Sequence, residues 1–181
     1  MPQIVIIAGF PGVGKSTLAK QLQKDTGWIL LDKDELTRGI TGRIHRLLGL
    51  PEEDRESHLH KTVVRELTHT MLYNATNEVL RSNHSVILDA PFEQYIQEDD
   101  WYPSLVNMFG QNPFVVWVEI PKEQELQQLI RRNRDLDKWK IDHFEEYYKE
   151  REKLCLKVPK ENLFRISADY NELKNLPMFS L

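Results

Sequence analysis

The stretch GFPGVGKSTL, residues 9–18, directly follows the apolar run QIVIIA at residues 3–8. It fits the pattern G-x-x-x-x-G-K-[ST], with Gly9, Gly14, Lys15 and Ser16 at the fixed positions. Glycine permits backbone conformations that turn successive N–H groups toward one concave side, where they can surround phosphate oxygens. A strand, this loop and an amphipathic helix in that order predict a nucleotide-binding unit.

Each residue of the loop has an expected role. Lys15 would reach the outer phosphates, the hydroxyl of Ser16 would hold Mg²⁺, and the helix that begins there would add its positive end. The expected nucleotide contacts are Gly9, Pro11, Gly12, Val13, Gly14, Lys15, Ser16 and Thr17. A glycine-rich turn that binds nothing is the alternative, and the flanking strand and helix favour the nucleotide site.

Continuous apolar runs alternate with helical patterns along the chain. The predicted strands are residues 3–8, 28–31, 85–88, 114–118 and 163–167. The predicted helices are residues 16–25, 54–82, 94–109, 122–134 and 142–156. Unbroken apolar strands are typical of a parallel sheet covered on both faces, so the order predicts an open α/β fold. In the long helix, the core stripe is predicted to be Leu59, Val63, Leu67, Met71, Ala75 and Val79.

Length and composition limit the class of protein. The 181 residues predict one domain over 1–181, and no apolar run approaches the roughly 20 residues that span a bilayer. Without a basic leader or a cleavage site, we expect a cytoplasmic protein with no membrane partner. A net charge of −4 argues against a general nucleic-acid binder, since such affinity comes largely from Lys and Arg. The oligomeric state stays open.

Residues 39–55, GITGRIHRLLGLPEEDR, combine three glycines, a proline and scattered charges directly after the second predicted strand and its DKDELTR turn. This composition predicts an irregular segment. We expect a substrate-side insertion over about residues 39–58.

Carboxylates follow two predicted strands. Asp32 and Asp34 follow the second strand, at the sheet edge where open α/β sheets bind ligands, although one of them can serve only as a helix cap. Asp89 ends SVILD, where an aspartate can hold Mg²⁺ or its water. Because one acidic residue stands there alone, Asp89 is open to a metal role or a substrate role.

Three arginines crowd LIRRNRDLDKWK: Arg131, Arg132 and Arg134. A solvated helix end is the alternative to a function, but phosphoryl transfer needs positive charge around the phosphate oxygens. We therefore expect a lid at about residues 131–141, with Arg132 and Arg134 acting with Lys15 on the transferred group.

The succession GFPGVGKSTLAKQL, LDKDELTRG, VILDAPF and R-R-N-R resembles the P-loop kinase group that includes zeta toxins, polynucleotide 5'-kinases and chloramphenicol phosphotransferase. The resemblance covers most of the chain. It implies a three-layer P-loop NTPase sandwich with a parallel sheet of order 2-3-1-4-5, a helical lid, and ATP and Mg²⁺ as cofactors. It further implies that Asp34 is the catalytic base and that Arg38 contacts the substrate.

These features favour a kinase that phosphorylates a hydroxyl of a small molecule such as a metabolite, nucleotide or antibiotic. One alternative is a polynucleotide 5'-hydroxyl kinase, for which Arg43, Arg46 and Arg55 would form a small basic mouth for a nucleic acid end. A second alternative is a nucleotide-switched binding module or slow ATPase. Asp34 beside Arg38 disfavours a switch, which has no use for a base.

Overall fold

Five apolar runs form one parallel sheet of order β2-β3-β1-β4-β5 in the computed structural model, which describes residues 1–52 and 54–179. The strands are β1 Ile4–Ala8, β2 Ile29–Asp32, β3 Val86–Asp89, β4 Phe114–Val118 and β5 Leu163–Ile166. Each bound lies within one residue of the predicted run, and the expected fold class and strand order are confirmed. Residue 53 of the expected insertion and residues 180–181 of the expected domain lie outside the described residues.

Helices connect the strands and lie on both sides of the sheet. The α-helices are α1 Lys15–Thr26, α2 Lys33–Leu47, α3 Arg65–Arg81, α4 Trp101–Phe109, α5 Lys122–Arg132, α6 Lys138–Asp142, α7 Phe144–Arg151 and α8 Tyr170–Lys174. A π-helical turn spans His60–Val64, and short 3-10 helices span Asp135–Asp137, Lys160–Asn162 and Pro177–Phe179. The predicted helix over residues 94–109 begins only at Trp101, because residues 93–97 form turns.

The carboxyl edge of the sheet is where the central strands bring polar residues together. Every residue of β1 and β3 is buried, which is why these strands read as unbroken apolar runs. In the parallel register, Ile7 pairs with Asp89 and Asp32 pairs with the same residue from the other side. The glycine-rich loop after β1 therefore starts beside two carboxylates.

The long helix differs from its prediction in both start and buried face. Residues 54–59 precede the π-helical turn, and α3 begins at Arg65. Its buried residues are Thr68, His69, Leu72 and Thr76, while Leu59, Val63 and Leu67 of the predicted stripe are exposed. Threonine reads as polar in the sequence, but Thr68 and Thr76 donate to the carbonyls of Arg65 and Leu72 at 2.8 Å. Their hydroxyls are satisfied within the helix, so both side chains can be buried.

The predicted irregular segment after Gly39 is also partly wrong. Helix α2 continues through Gly39 and Gly42 to Leu47, so most of residues 39–47 are regular helix. Asp32 caps this helix at its start, and its Oδ1 accepts hydrogen bonds from the backbone N–H groups of Asp34 and Glu35. The cap and the regular turns that follow outweigh the modest helix cost of two glycines.

Within the described residues, no helix has both the length and the apolar content needed to cross a bilayer.

Candidate active site

The loop of residues 9–17 has the strained backbone that its glycines predict. Gly9, Gly12 and Gly14 have φ values of +140°, +90° and +98°. A Cβ atom on Gly9 would lie 2.5 Å from the carbonyl oxygen of Val118, and one on Gly12 would lie 2.9 Å from the Leu129 side chain. Both positions therefore require glycine, for conformation and for space. Helix α1 begins at Lys15, within this loop, and Gly14 at its start provides no side-chain cap, which leaves the first N–H groups available to an anion.

Lys15 lies inside this loop. Its Nζ donates to the carbonyl oxygen of Phe10 at 2.7 Å, and the residue is 8% exposed. Burial lowers the pKa of Lys15, while the negative charges of Asp89 and Glu93 oppose that shift. Glu93 is a residue that the sequence analysis missed, and its Oε2 is buried without a partner among the described residues. The ammonium group is thus held at the loop, among carboxylates.

Asp89 is buried at the end of β3. Burial raises the pKa of Asp89, and the nearby Lys15 ammonium and a hydrogen bond from Ser16 favour its ionised form. The negative charges of Asp32 and Asp34 also raise the pKa of Asp89. No group of three His, Cys, Asp or Glu side chains in residues 1–52 and 54–179 is placed to hold a metal alone. A Mg²⁺ ion bound by Ser16 and Asp89 would therefore take phosphate oxygens and water molecules as its remaining ligands.

Asp32 and Asp34 have different environments. Asp32 caps the start of α2, which is the helix-cap role that the sequence allowed for one of the two aspartates. Asp34 is 68% exposed in its side chain and forms an ion pair with Lys33 at 3.2 Å. Burial tends to raise the pKa of Asp34, but Lys33, Arg55 and Lys15 together lower it. Asp34 is therefore an ionised carboxylate on the same side as Lys15, which suits a proton acceptor.

Of the three arginines in segment 131–141, Arg132 is the one that is half-buried. Its positive charge lowers the pKa of Lys15. Arg132 Nε donates at 2.8 Å to Asp137, whose side chain is fully buried and which the sequence analysis missed. Arg131 and Arg134 are exposed. A buried carboxylate five residues away thus holds Arg132, and a catalytic role for Arg132 or Arg134 stays a prediction.

Arg38 lies on the exposed surface of α2. Its guanidinium pairs with Glu35 one turn earlier on α2, and the side chain is 73% exposed. The i, i+3 spacing explains the pairing, because such residues are neighbours on a helix surface. Contact between Arg38 and a substrate stays a prediction. Of the expected basic mouth, Arg46 pairs with Glu52, and Arg55 donates to the backbone carbonyls of residues 52 and 54.

A buried ion pair supports the loop from the other side. Glu125 of α5 is fully buried and pairs with Arg151 of α7, whose guanidinium carbon lies 3.6 Å from the ring centroid of Phe10. A Cβ on Gly12 would approach Glu125 Cγ to 3.5 Å, so the pair lies directly beneath the loop. The sequence gives no signal for this contact, since Glu125 lies among polar residues that look solvated.

A pocket of about 490 Å³ adjoins the loop beyond Gly14. Its walls come from α1, α5 and the turn after β5, namely Gly14, Thr17, Leu18, Gln21, Gln128, Ala168, Asp169 and Tyr170. Residues 168–170, which follow β5, therefore share this pocket with the glycine loop.

Segment 131–141 also contacts the expected insertion. Lys140 Nζ of α6 lies 2.9 Å from Glu56 Oε1, and Lys61 Nζ lies 2.9 Å from Glu56 Oε2. One carboxylate thus joins the arginine-rich segment to the residues that follow α2.

Comparison with known proteins agrees with this geometry. The chain is 30% identical over 105 residues to a shikimate kinase of Corynebacterium glutamicum, covering 52% of this chain and 62% of that protein. It is 24% identical over 134 residues to a uridylate kinase of Saccharomyces cerevisiae, covering 72% and 62%. The match spans less than two thirds of the length of either relative.

Two solved structures share the fold. A sugar kinase from Janibacter sp. has a TM-score of 0.61 at 15% identity, with 96% of this chain and 90% of that chain covered. A gluconokinase from Sinorhizobium meliloti has a TM-score of 0.55 at 13% identity, with 94% and 86% covered. The model of the AAA domain family, AAA_33, matches residues 4–153, which include the loop, Asp34, Asp89 and the arginine-rich segment. The chain therefore belongs to the AAA domain family AAA_33.

Proposed function

We propose that the chain is an ATP- and Mg²⁺-dependent kinase that transfers a phosphoryl group to a hydroxyl of a small molecule. The observation that carries this proposal is the arrangement of charge around the glycine loop. Lys15 is held in the loop by the carbonyl of Phe10, and the charges of Asp89, Glu93, Asp34 and Arg132 all act on its pKa, so two cations and three carboxylates lie near the loop. Phosphoryl transfer needs such an arrangement, because its catalysis consists mainly of positioning and charge stabilisation.

On the nucleotide side, the backbone N–H groups of residues 12–16 bind the phosphates. Lys15 leaves the carbonyl of Phe10 and binds the outer phosphate oxygens, which offer a stronger, charge-assisted hydrogen bond. Ser16 and Asp89 would hold Mg²⁺, which neutralises phosphate charge when it is bound. The pocket beyond Gly14 receives the base, and the choice of ATP rests on the family resemblance.

On the acceptor side, Asp34 receives the proton. The acceptor oxygen forms a bond to the outer phosphorus, the bond from that phosphorus to the bridging oxygen breaks, and the hydroxyl proton passes to the Asp34 carboxylate. ADP is the leaving group. Asp34 is ionised at neutral pH, and its lowered pKa makes it a weak base, which suits a carboxylate that mainly orients the hydroxyl and accepts the proton late in a loose transition state.

Segment 131–141 acts as a lid in this proposal. Arg132 is held by Asp137 so that its charge faces the phosphates, and Arg134 joins it only when the segment closes. Closure would exclude water from the transferred group. Membership of the zeta-toxin and chloramphenicol-phosphotransferase group, the insertion over 39–58 and a cytoplasmic location remain part of the proposal.

An acceptor screen tests the function. Purified full-length chain is given ATP, Mg²⁺ and a panel of sugars, hydroxy acids, nucleosides, aminoglycosides and short oligonucleotides, and ADP formation is measured. We expect turnover that depends on a small-molecule acceptor and on Lys15. Turnover only with oligonucleotides would assign the polynucleotide alternative, and hydrolysis unaffected by any acceptor would assign the ATPase alternative.

A further inference from the structure

His69 of α3 carries a buried nitrogen with no partner. The residue is 3% exposed, and its Nδ1 donates to the carbonyl oxygen of Arg65 at 3.0 Å. Because a carbonyl only accepts, the hydrogen lies on Nδ1 and Nε2 is an acceptor. That Nε2 has no hydrogen-bond partner within residues 1–52 and 54–179. The ring packs 4.5 Å from the ring centroid of Tyr95 and 5.4 Å from that of Phe92, so its direction is fixed.

Arg65, one turn earlier, has a similar deficit. Its Nη1 is buried without a partner, and the guanidinium makes no ion pair with any residue that the structure describes. The Arg65 side chain is half-buried, and a guanidinium nitrogen that is shielded from water without an acceptor costs free energy, so proteins normally pair such groups. An arginine left in this state is typical of a site that is completed by an anionic ligand.

These groups lie on the side of the sheet edge that carries Asp34, because the His69 ring packs against Phe92, three residues after Asp89, and α3 packs against α2, which carries Asp34. The positive charge of Arg55 lowers the pKa of Asp34, and the charges of Asp34 and Arg65 both act on the pKa of His69. Arg55 makes no ion pair among the described residues and donates only to two backbone carbonyls. Two arginines that make no ion pair with a described residue, and one acceptor nitrogen, therefore lie on the side of the cleft that carries Asp34.

We propose that Arg65 and Arg55 bind an anionic group of the acceptor and that His69 Nε2 accepts a hydrogen bond from one of its hydroxyls. The acceptor is accordingly a hydroxylated acid, with a carboxylate or a phosphate as the anion, rather than a neutral alcohol. This inference rests on the proposed kinase function and names the substrate class of the same site. The planar guanidinium of Arg65 can bind either anion through two parallel hydrogen bonds.

Matched pairs of probes test the inference. Binding to the full chain, loaded with a non-hydrolysable ATP analogue and Mg²⁺, is measured by calorimetry for D-glycerate and glycerol 3-phosphate against glycerol, and for six-carbon sugar acids and sugar phosphates against the parent sugars. We expect at least one acid to bind about 30-fold or more tightly than its neutral partner, since a charge-assisted hydrogen-bonded pair is lost in the neutral compound. The carboxylate and phosphate arms identify the anion.

Variants assign the preference to the named residues. Arg65→Gln should remove the preference for the acid, and Arg81→Gln, at the exposed end of the same helix, should keep it. His69→Phe keeps the aromatic packing, removes the acceptor nitrogen, and should weaken acid and neutral compounds alike. Because Arg65 is unpartnered, the ligand-free Arg65→Gln protein should melt at the wild-type temperature or above it.

Three results would overturn the inference. The first is a panel in which no acid binds more tightly than its neutral partner. The second is an acid preference that survives Arg65→Gln, and the third is a clear fall in the melting temperature of that variant, which would make Arg65 structural. Failure of the kinase proposal is separate, because it would appear as an ATP analogue that does not bind or as turnover that does not depend on Lys15.

Discussion

The nucleotide side and the acceptor side of the cleft are built by different means. On the proposed nucleotide side, the backbone of the loop supplies the binding groups. Two positions there require glycine, because a Cβ atom would clash with Val118 or Leu129. On the acceptor side, side chains from α2, the following segment and α3 supply them, and several polar atoms are left without partners. Backbone geometry leaves a short local pattern in the sequence, whereas a site assembled from distant side chains does not.

The largest expected effect lies on the nucleotide side. Lys15→Met should reduce turnover by about 1,000-fold or more, since it removes the main positive charge on the transferred group. The residue points to a loop carbonyl and not into the apolar core, so the fold should be kept. Steady-state rates at saturating ATP, with Lys20→Met on the exposed face of α1 as the control, measure the effect. A folded Lys15→Met protein with wild-type turnover would show that the glycine loop does not bind the transferred phosphate through Lys15.

The next effect separates the two aspartates after β2. Asp34→Asn should keep ATP binding and lower turnover by roughly 100-fold, the usual scale for an acid–base group. Asp32→Asn should be milder, because asparagine caps a helix nearly as well as aspartate. Turnover at saturating ATP, Mg²⁺ and acceptor decides between them, and the reverse ranking would transfer the base to Asp32. Because the pKa of Asp34 is lowered, its ionised form should persist as pH falls below the usual aspartate range.

A pair of glycine substitutions compares the two backbones directly. Gly12→Ala should destabilise the protein by about 1–3 kcal/mol, because φ is +90° and the new Cβ would overlap Leu129. Gly39→Ala, in α2 with no atom within 4 Å of the new Cβ, should stabilise it by about 0.5–1 kcal/mol. Urea denaturation measures both. If both substitutions destabilised the protein equally, α2 would require glycine at position 39 as strictly as the loop requires it at position 12.

The smallest effect concerns acid pH and the acceptor side. Burial lowers the pKa of His69 from 6.5 to about 3, so below pH 6.5 the unfolded chain binds a proton that the folded chain excludes. The contribution of His69 to stability should be constant above pH 6.5 and should fall by up to about 1.4 kcal/mol per pH unit as pH drops toward 3. The pKa of His60 is lowered in the same direction, to about 3, chiefly by burial.

Urea denaturation at pH 7, 6 and 5 measures that slope. His69→Phe should reduce it, and replacement of the exposed His84 by Gln should leave it unchanged. A slope that is the same in wild type and His69→Phe would mean that His69 is not held neutral by the fold.

The same contrast explains what the sequence predicts well and what it does not. The strands and the loop are predicted because fully buried strands read as unbroken apolar runs and because the loop needs glycine at fixed spacing. The buried face of α3 is missed because two threonines satisfy their hydroxyls within the helix. Asp137 and Glu125 are missed because a buried carboxylate and a solvated one look identical in a sequence until their arginine partners are placed.

Motif position does not determine which partner Arg38 has in the ligand-free protein. The D-E-L-T-R turn places it one turn after Glu35, which offers a partner on the helix surface, so the guanidinium pairs there. Arg65 lies outside every sequence motif, and only the structure reveals that its Nη1 has no hydrogen-bond partner among the described residues.

Glu56 links acceptor exchange to salt concentration. Its carboxylate binds Lys140 of the proposed lid and Lys61 of the π-helical turn at once. A lid that opens to admit an acceptor or release a product must separate Lys140 from Glu56, while Lys61 stays beside the carboxylate. Counterions screen the separated charges better than the joined pair, so the open state gains from added salt. Product release should therefore accelerate with ionic strength even where the chemical step does not.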